Sequence, residues 1–130
     1  MSRARSRIKA ILVAEDDPAV RELLREILSN QGYLVLLAAH SAEALEIARQ
    51  HRGPIHLLIS DVIMPGISGP ELAYQLRGLR PEMNVLYVSG YADDALSRRG
   101  ALVEGTTFLQ KPVSPEVLLE KVRQILGREG

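Results

Sequence analysis

The sequence predicts a doubly wound α/β domain, in which helices cover both faces of a parallel sheet. Two observations support this fold class. Short apolar segments alternate five times with segments whose apolar residues recur at helical spacing. The short segments are also apolar throughout, rather than at every second position, which indicates strands that are buried on both faces, as in a parallel sheet.

The five short apolar segments are predicted to be the strands. They lie at residues 8–14, 33–39, 55–60, 85–88 and 106–109. The chain is 46% apolar but only 4% aromatic, so aliphatic residues must do most of the packing. Its 130 residues suit one domain, and a globule of this size buries about two-thirds of the surface that its unfolded chain exposes.

Four helices are predicted from capping residues that precede apolar residues at helical spacing. Pro18 suits the first position of the first helix, and Gly32 suits its stop. Glu71 lies three residues after the third cap and would complete a capping box. A fifth helix, over residues 92–99, has only a weak apolar stripe. The expected caps, in chain order, are Asp17, Ser41, Ser68 and Ser114.

The composition excludes several classes of protein. Sixteen basic and sixteen acidic residues cancel, so no overall field favours nucleic acid or an anionic membrane. The absence of cysteine excludes disulfides and suits a cytoplasmic location. No apolar run approaches the ~20 residues of a membrane-spanning helix. Residues 1–7 lack a signal-peptide core, and they are predicted to be a disordered or cloning-derived tail before a domain at residues 8–127.

Polar residues follow four of the five predicted strands. They are Glu15 and Asp16 after the first strand, Asp61 after the third, Ser89 after the fourth and Lys111 after the fifth. Each alone has an ordinary explanation as a turn or solvated residue, but parallel strands place all of them at one edge of the sheet, where ligands collect. Three acids there repel one another unless cations offset them, and Mg²⁺ suits such oxygen ligands.

These residues, in this order, resemble the receiver domain of bacterial two-component response regulators. The resemblance runs from about residue 8 to residue 126, and it is carried by ILVAEDDPAVRELL, HLLISDVIMPGISGPEL, VLYVSGYADD and FLQKPVSPEVLLEKV. It implies a flavodoxin-like five-stranded parallel sheet of order 2-1-3-4-5 with five flanking helices. The last two segments look most like receivers at the C-terminal end of hybrid sensor histidine kinases.

The resemblance implies a phosphorylation-dependent signalling switch with Mg²⁺ as its cofactor. Asp61 would be the phosphoacceptor and would also contact the metal. Asp16 would bind Mg²⁺ directly and Glu15 mainly through water, and the backbone carbonyl of Ile63 would be a further ligand. Glu15 replaces the more frequent Asp of the family, which is a common variant.

The resemblance also implies how the phosphoryl group is held and sensed. Lys111 would pair with a phosphoryl oxygen, and the bond to Pro112 would be cis. Ser89 would donate its hydroxyl to the phosphoryl group. Its movement would let Phe108, at the aromatic switch position, rotate toward the core and change a protein-interaction face.

Two further positions, Ile63 and Tyr91, modulate hydrolysis of the acyl phosphate in this family. Neither side chain orients a water as a carboxylate or amide would, so a phosphorylated state that is not unusually short-lived is expected. The implied partner is a sensor histidine kinase or a histidine phosphotransfer protein, with a phosphorylation-dependent dimer but no direct contact with nucleic acid or membrane. The domain is not expected to be a conventional enzyme, because it promotes only its own phosphorylation and dephosphorylation.

Three other interpretations stay open at this stage. An aspartyl-nucleophile phosphohydrolase or phosphotransferase would need a second Asp where this chain has Ile63. A flavin- or nucleotide-binding fold of the same architecture would need a Gly-rich loop after the first strand, which is acidic here. The intact set of Asp16, Asp61, Ser89 and Lys111 argues against a receiver-like module that is never phosphorylated, although sequence alone does not decide this. His40, His51 and His56 are expected to have structural or solvated roles.

Overall fold

The computed structural model describes residues 8–90 and 107–127, and within them the chain forms five strands and four helices. The strands are β1 (Ala10–Ala14), β2 (Leu34–Ala38), β3 (Leu57–Asp61), β4 (Asn84–Ser89) and β5 (Thr107–Gln110). The helices are α1 (Pro18–Ser29), α2 (Ser41–Gln50), α3 (Gly69–Leu79) and α4 (Pro115–Leu126). Each predicted strand is present, with ends that differ from the prediction by at most two residues.

The five strands form one parallel sheet of order β2-β1-β3-β4-β5. This confirms the predicted fold class and strand order. Helices α1 and α4 pack on one face of the sheet, and α2 and α3 pack on the other. The predicted helix at residues 92–99 lies outside the described residues, so four of the five expected helices are seen. None of the helices in the described part of the chain is long and apolar enough to cross a membrane.

The core has two parts, one on each face of the sheet. On the α1/α4 face, Ile11 and Val13 of β1 lie beside Leu57 and Ile59 of β3, and all four are buried. Successive side chains of a strand point to opposite faces. Glu15 and Asp61 therefore continue the alternation of this face beyond the apolar core. The same periodicity that builds the core thus also brings these acids to the edge of the sheet.

The caps of the helices follow the prediction at three of four positions. Asp17, Ser68 and Ser114 each accept a backbone N–H bond at the start of α1, α3 and α4, respectively. The prediction that Ser41 caps α2 is wrong. The cap is His40, whose Nδ1 accepts from the backbone N–H of Glu43 at 3.2 Å. Ser41 is instead the first residue of the helix and is only 3% exposed.

Candidate functional site

The carboxyl edge of the sheet gathers the three acids that the sequence singled out. Glu15 and Asp16 follow β1, and Asp61 ends the adjacent strand β3. Each of the three offers a carboxylate oxygen, and these atoms all lie within 4.8 Å of one another. Glu15 and Asp61 are buried, at 1% and 5% exposure, whereas Asp16 is exposed. Hard oxygen ligands at this spacing suit a divalent cation such as Mg²⁺.

Lys111, just after β5, brings a positive charge to the same place. Its Nζ lies 2.9 Å from Oδ1 of Asp61 and 3.3 Å from Oε1 of Glu15. Its backbone N–H donates to the carbonyl of Ser89 at 3.0 Å, which ties it to the end of β4. Partial burial opposes protonation, but the bond to Asp61 and the charges of both carboxylates raise the pKa of Lys111. The ammonium is therefore charged at physiological pH.

The pKa of Asp61 is well above the usual value for an aspartate. Burial raises its pKa to about 8, the Glu15 carboxyl adds to that shift, and Lys111 opposes it. Two buried carboxylates thus share one ammonium, and a second cation would favour the ionised form of both. The acidic residues present therefore fit a divalent metal ion on chemical grounds.

Glu15 is held at nearly every polar atom, which separates its role from that of Asp16. Its backbone N–H donates to the carbonyl of Ala38, and its Oε2 accepts from the backbone N–H of Asp17, each at 3.0 Å. Its backbone carbonyl accepts from Nη1 of Arg21 at 2.9 Å. Arg21 was not predicted from the sequence to be part of the site, although its place one helical turn after the cap of α1 puts it near the acidic turn. Glu15 is fixed in place, whereas Asp16 is the accessible acid.

The backbone of Asp61 is in close contact with Gly69. A Cβ atom built on Gly69, the first residue of α3, would lie 2.1 Å from the carbonyl oxygen of Asp61. The N–H of Gly69 also donates to the carbonyl of Val62 at 2.8 Å. The start of α3 therefore rests directly on the backbone of Asp61. The sequence indicated only a turn at this glycine.

Ser89 and Phe108 lie on the strands that flank this edge. Ser89 ends β4, is 5% exposed, and comes one residue after Val88, the register partner of Asp61. Phe108 is the register partner of Tyr87 and is half-buried against the α2/α3 core. The described geometry thus places Ser89 at the site edge and Phe108 further along the sheet.

Two other predicted features lie in loops at this edge. The bond from Lys111 to Pro112 is cis, as expected. Ile63 follows Asp61 by two residues, and its side chain is 65% exposed. Tyr91 lies outside the described residues. The structure therefore brings together Glu15, Asp16, Asp61 and Lys111, with Ser89 on the adjacent strand end.

Comparison with protein families matches most of the chain to one family. The model of the response regulator receiver domain matches residues 11–123. Sensor kinase CckA of Brucella abortus is 38% identical to the chain over 119 residues, which is 92% of this chain and 13% of that protein. Response regulator MprA of Mycobacterium tuberculosis is 40% identical over 120 residues, which is 91% of this chain and 50% of that protein. The chain thus spans half or less of the length of these relatives.

Solved structures show the same similarity in three dimensions. The receiver domain of the hybrid histidine kinase CckA is 44% identical, with a TM-score of 0.77, and the match covers 90% of this chain and 98% of that domain. A CheY-like receiver domain protein from Methanospirillum hungatei is 31% identical, with a TM-score of 0.79 and a coverage of 94% and 96%. Both share the overall fold of this chain.

Proposed function

Because this chain belongs to the response regulator receiver family, we propose that it is a phosphoacceptor switch whose acceptor is Asp61. The observation that carries the proposal is the position of Asp61 within 2.9 Å of Lys111 and beside two further carboxylates. A carboxylate in such a place can form an acyl phosphate. The carboxyl edge of a parallel sheet is also where such folds bind their ligands.

Asp61 is better placed to act as the nucleophile than the two neighbouring acids. Glu15 already accepts hydrogen bonds from the Asp17 N–H and from Lys111, both at its Oε2. Asp16 is exposed and free to contact a hydrated cation. Oδ1 of Asp61 lies 2.9 Å from the Lys111 ammonium, which would meet an incoming phosphoryl oxygen. The division of roles follows from these contacts.

The proposed reaction transfers a phosphoryl group from a phosphohistidine to Asp61. A carboxylate oxygen of Asp61 attacks phosphorus, the bond from phosphorus to the histidine nitrogen breaks, and that nitrogen keeps the electron pair and takes up a proton. Lys111 neutralises one equatorial phosphoryl oxygen. Asp16, Glu15, Asp61 and the carbonyl of Ile63 would hold Mg²⁺, which when bound neutralises charge on the phosphoryl group.

The output of the switch is proposed to pass through Ser89 and Phe108. A phosphoryl group adds almost two negative charges and strong acceptor oxygens, and Ser89 lies on the strand end beside Asp61. Donation of its hydroxyl to the phosphoryl group would draw it inward. Phe108 is half-buried, so part of its side chain could still become buried. This movement would alter a surface that partner proteins read.

The partners are proposed from the family. A sensor histidine kinase or a histidine phosphotransfer protein would supply the phosphoryl group in the cytoplasm, and phosphorylation would favour a dimer. The similarity to CckA favours a place in a phosphorelay. The domain itself would act only on its own Asp61, rather than as a conventional enzyme. The aliphatic Ile63 favours a phosphorylated state that is not unusually short-lived, and Tyr91 is proposed to have the same effect.

The test is intact mass spectrometry after incubation with Mg²⁺ and a small phosphodonor such as phosphoramidate. The wild-type protein should gain one phosphoryl group, and Asp61→Asn should gain none, because the amide is not a nucleophile. Release of many phosphate equivalents would instead indicate a phosphohydrolase. No gain with the small donor and with a cognate kinase would indicate a module that is never phosphorylated.

A second variant separates acceptance from output. Ser89→Ala should still take up one phosphoryl group, because the nucleophile and Lys111 are intact. Its phosphorylation-dependent change, measured as dimerisation or as amide shifts around Phe108, should be lost. A normal change in Ser89→Ala would refute the proposed relay but not the proposed acceptor.

A further inference from the structure

We propose that Ser41 is a positioning residue for the phosphorylation site. Its hydroxyl holds residues 65–67, and thereby the backbone of Ile63, in place beside Asp61. This inference rests on the proposed function, since it assigns Ser41 to the support of the same site. The hydroxyl comes from the first residue of α2, which follows β2 at the carboxyl edge of the sheet.

Ser41 contacts the loop directly through its hydroxyl. Oγ of Ser41 lies 3.3 Å from the carbonyl oxygen of Ile67 and 3.4 Å from that of Pro65, so its single O–H is shared between two acceptors. Ser41 is 3% exposed, although the next two residues of α2 are exposed. A serine in the first turn of a helix usually faces water or caps the helix. Here His40 does the capping, which leaves the Ser41 hydroxyl for the loop.

The shape of the loop shows that it is fitted to this hydroxyl. Gly66 lies between the two acceptors and has a φ of +87°. A Cβ at Gly66 would lie 3.2 Å from Oγ of Ser41. A side chain at this position would therefore crowd the hydroxyl, which glycine avoids. In the described part of the chain, Ser41 supplies the hydrogen bonds that residues 65–67 make to another element of the fold.

The loop connects this contact to Asp61. Its beginning is fixed, because the carbonyl of Val62 accepts from Gly69 at 2.8 Å. Ile63 lies between that point and the segment that Ser41 holds. Met64 is 7% exposed, so the chain dips into the core between the two anchors. With both ends fixed, the carbonyl of Ile63 has a defined direction, which a metal ligand needs.

The inference is tested with Ser41→Ala in the full chain. The matched control is Ala48→Gly, which weakens the other end of the same helix and does not touch residues 65–67. The first readout is the set of ¹⁵N order parameters of residues 63, 64, 66 and 67 in metal-free buffer. The second is the dissociation constant for Mg²⁺, measured from amide shifts during titration. Neither readout depends on phosphorylation.

Ser41→Ala should lower the loop order parameters toward the flexible range, below about 0.6. It should also raise the dissociation constant for Mg²⁺ about fivefold, the effect of losing one net hydrogen bond. Ala48→Gly should leave both quantities as in the wild type while lowering stability. A Mg²⁺ dissociation constant in Ser41→Ala equal to that of the wild type overturns the inference, even if the loop becomes mobile. An equal shift in Ala48→Gly also overturns it, because the effect is then general destabilisation.

The outcomes also separate this inference from the proposed function. If the wild-type protein binds Mg²⁺ but takes up no phosphoryl group, the proposed function fails, and the two readouts still decide the role of Ser41. If the wild-type protein binds no Mg²⁺, the role of Ser41 falls together with the metal site.

Discussion

The two edges of the central sheet both carry polar side chains that are wholly or partly buried, but their partners differ. At the carboxyl edge, Lys111 pairs with the carboxylates of Glu15 and Asp61. At the amino edge, Nδ1 of His56 accepts from the backbone N–H of Ala10 at 2.9 Å, and Arg80 donates to three backbone carbonyls. Those carbonyls belong to Gly53, Ala48 and His51, at 2.6, 3.0 and 2.8 Å.

This difference shows how one sheet can be a scaffold at one edge and leave charged groups available at the other. A side chain that binds the backbone has a neutral partner whose position is fixed by folding. Its hydrogen bonds stabilise the local structure, and the atoms that make them are not available to a ligand. Carboxylates that share one ammonium keep lone pairs available and repel each other. The carboxyl edge is therefore less stable on its own, but its charges suit the proposed binding of a cation and a phosphoryl group.

The largest effect is expected at the carboxyl edge, where Gly69 touches the backbone of Asp61. Gly69→Ala should lower the free energy of unfolding by about 3 kcal/mol, because the new Cβ would overlap the Asp61 carbonyl oxygen and force the backbone apart. Urea denaturation measures this change. The displaced Asp61 should also be phosphorylated more slowly.

The control for this prediction lies in the same helix. A Cβ at Gly78 meets nothing within 4 Å, so Gly78→Ala should raise stability by up to about 1 kcal/mol through helix propensity. If both variants behave alike, the close contact behind Asp61 has no energetic importance.

A smaller effect, confined to the scaffold, is expected at the amino edge. Arg80→Ala should lower the free energy of unfolding by about 2 kcal/mol, because hydrogen bonds from a charged group to the end of α2 are lost. Phosphorylation of Asp61 should be unchanged at a temperature where the variant is folded. Arg49→Ala is the control, since Arg49 makes only an exposed pair with Glu46. A loss of phosphorylation in folded Arg80→Ala would contradict the separation of the two edges.

The smallest effects are expected in the pH dependence of stability, with opposite signs at the two edges. The pKa of Asp61 is raised to about 8 from 3.8, so the native state binds this proton more tightly than the unfolded state. In metal-free buffer its contribution is present at low pH and is lost as the pH rises toward 8. Asp61→Asn should therefore exceed the wild type in stability by about 1 kcal/mol at pH 8, and by less at pH 5.

His56 should show the reverse behaviour. Burial, and then the charge of Lys9, lower its pKa below the usual 6.5, so its contribution is present above that value and is lost as the pH falls. His56→Asn keeps an acceptor for the Ala10 N–H but does not titrate. Its free energy of unfolding should therefore fall less than that of the wild type as the pH is lowered. Urea unfolding over a pH series with a chelator measures both variants. If the stability difference between wild type and variant changed with pH in the same direction for Asp61→Asn and His56→Asn, the opposite pKa shifts of the two side chains would be wrong.

Much of the site was accessible from local sequence patterns. Glu15, Asp61, Ser89 and Lys111 follow apolar segments, and a parallel arrangement of those segments leaves one edge for all of them. The cap of α2 was predicted incorrectly, because His40 and Ser41 are adjacent and both have side chains able to accept a helix N–H. The choice between them depends on residues 65–67, which are more than twenty positions away in the chain.

The sequence alone determined the type of sheet, the order of its chemical groups along the chain and the family to which the chain belongs. These properties follow from the period of apolar residues and from motifs of adjacent residues, which are local. Tertiary structure alone decided that Gly69 rests on Asp61, that Arg21 and Lys111 hold Glu15, and that Ser41 turns inward. These contacts join segments that only packing brings together, because their distances depend on how helices lie on the sheet.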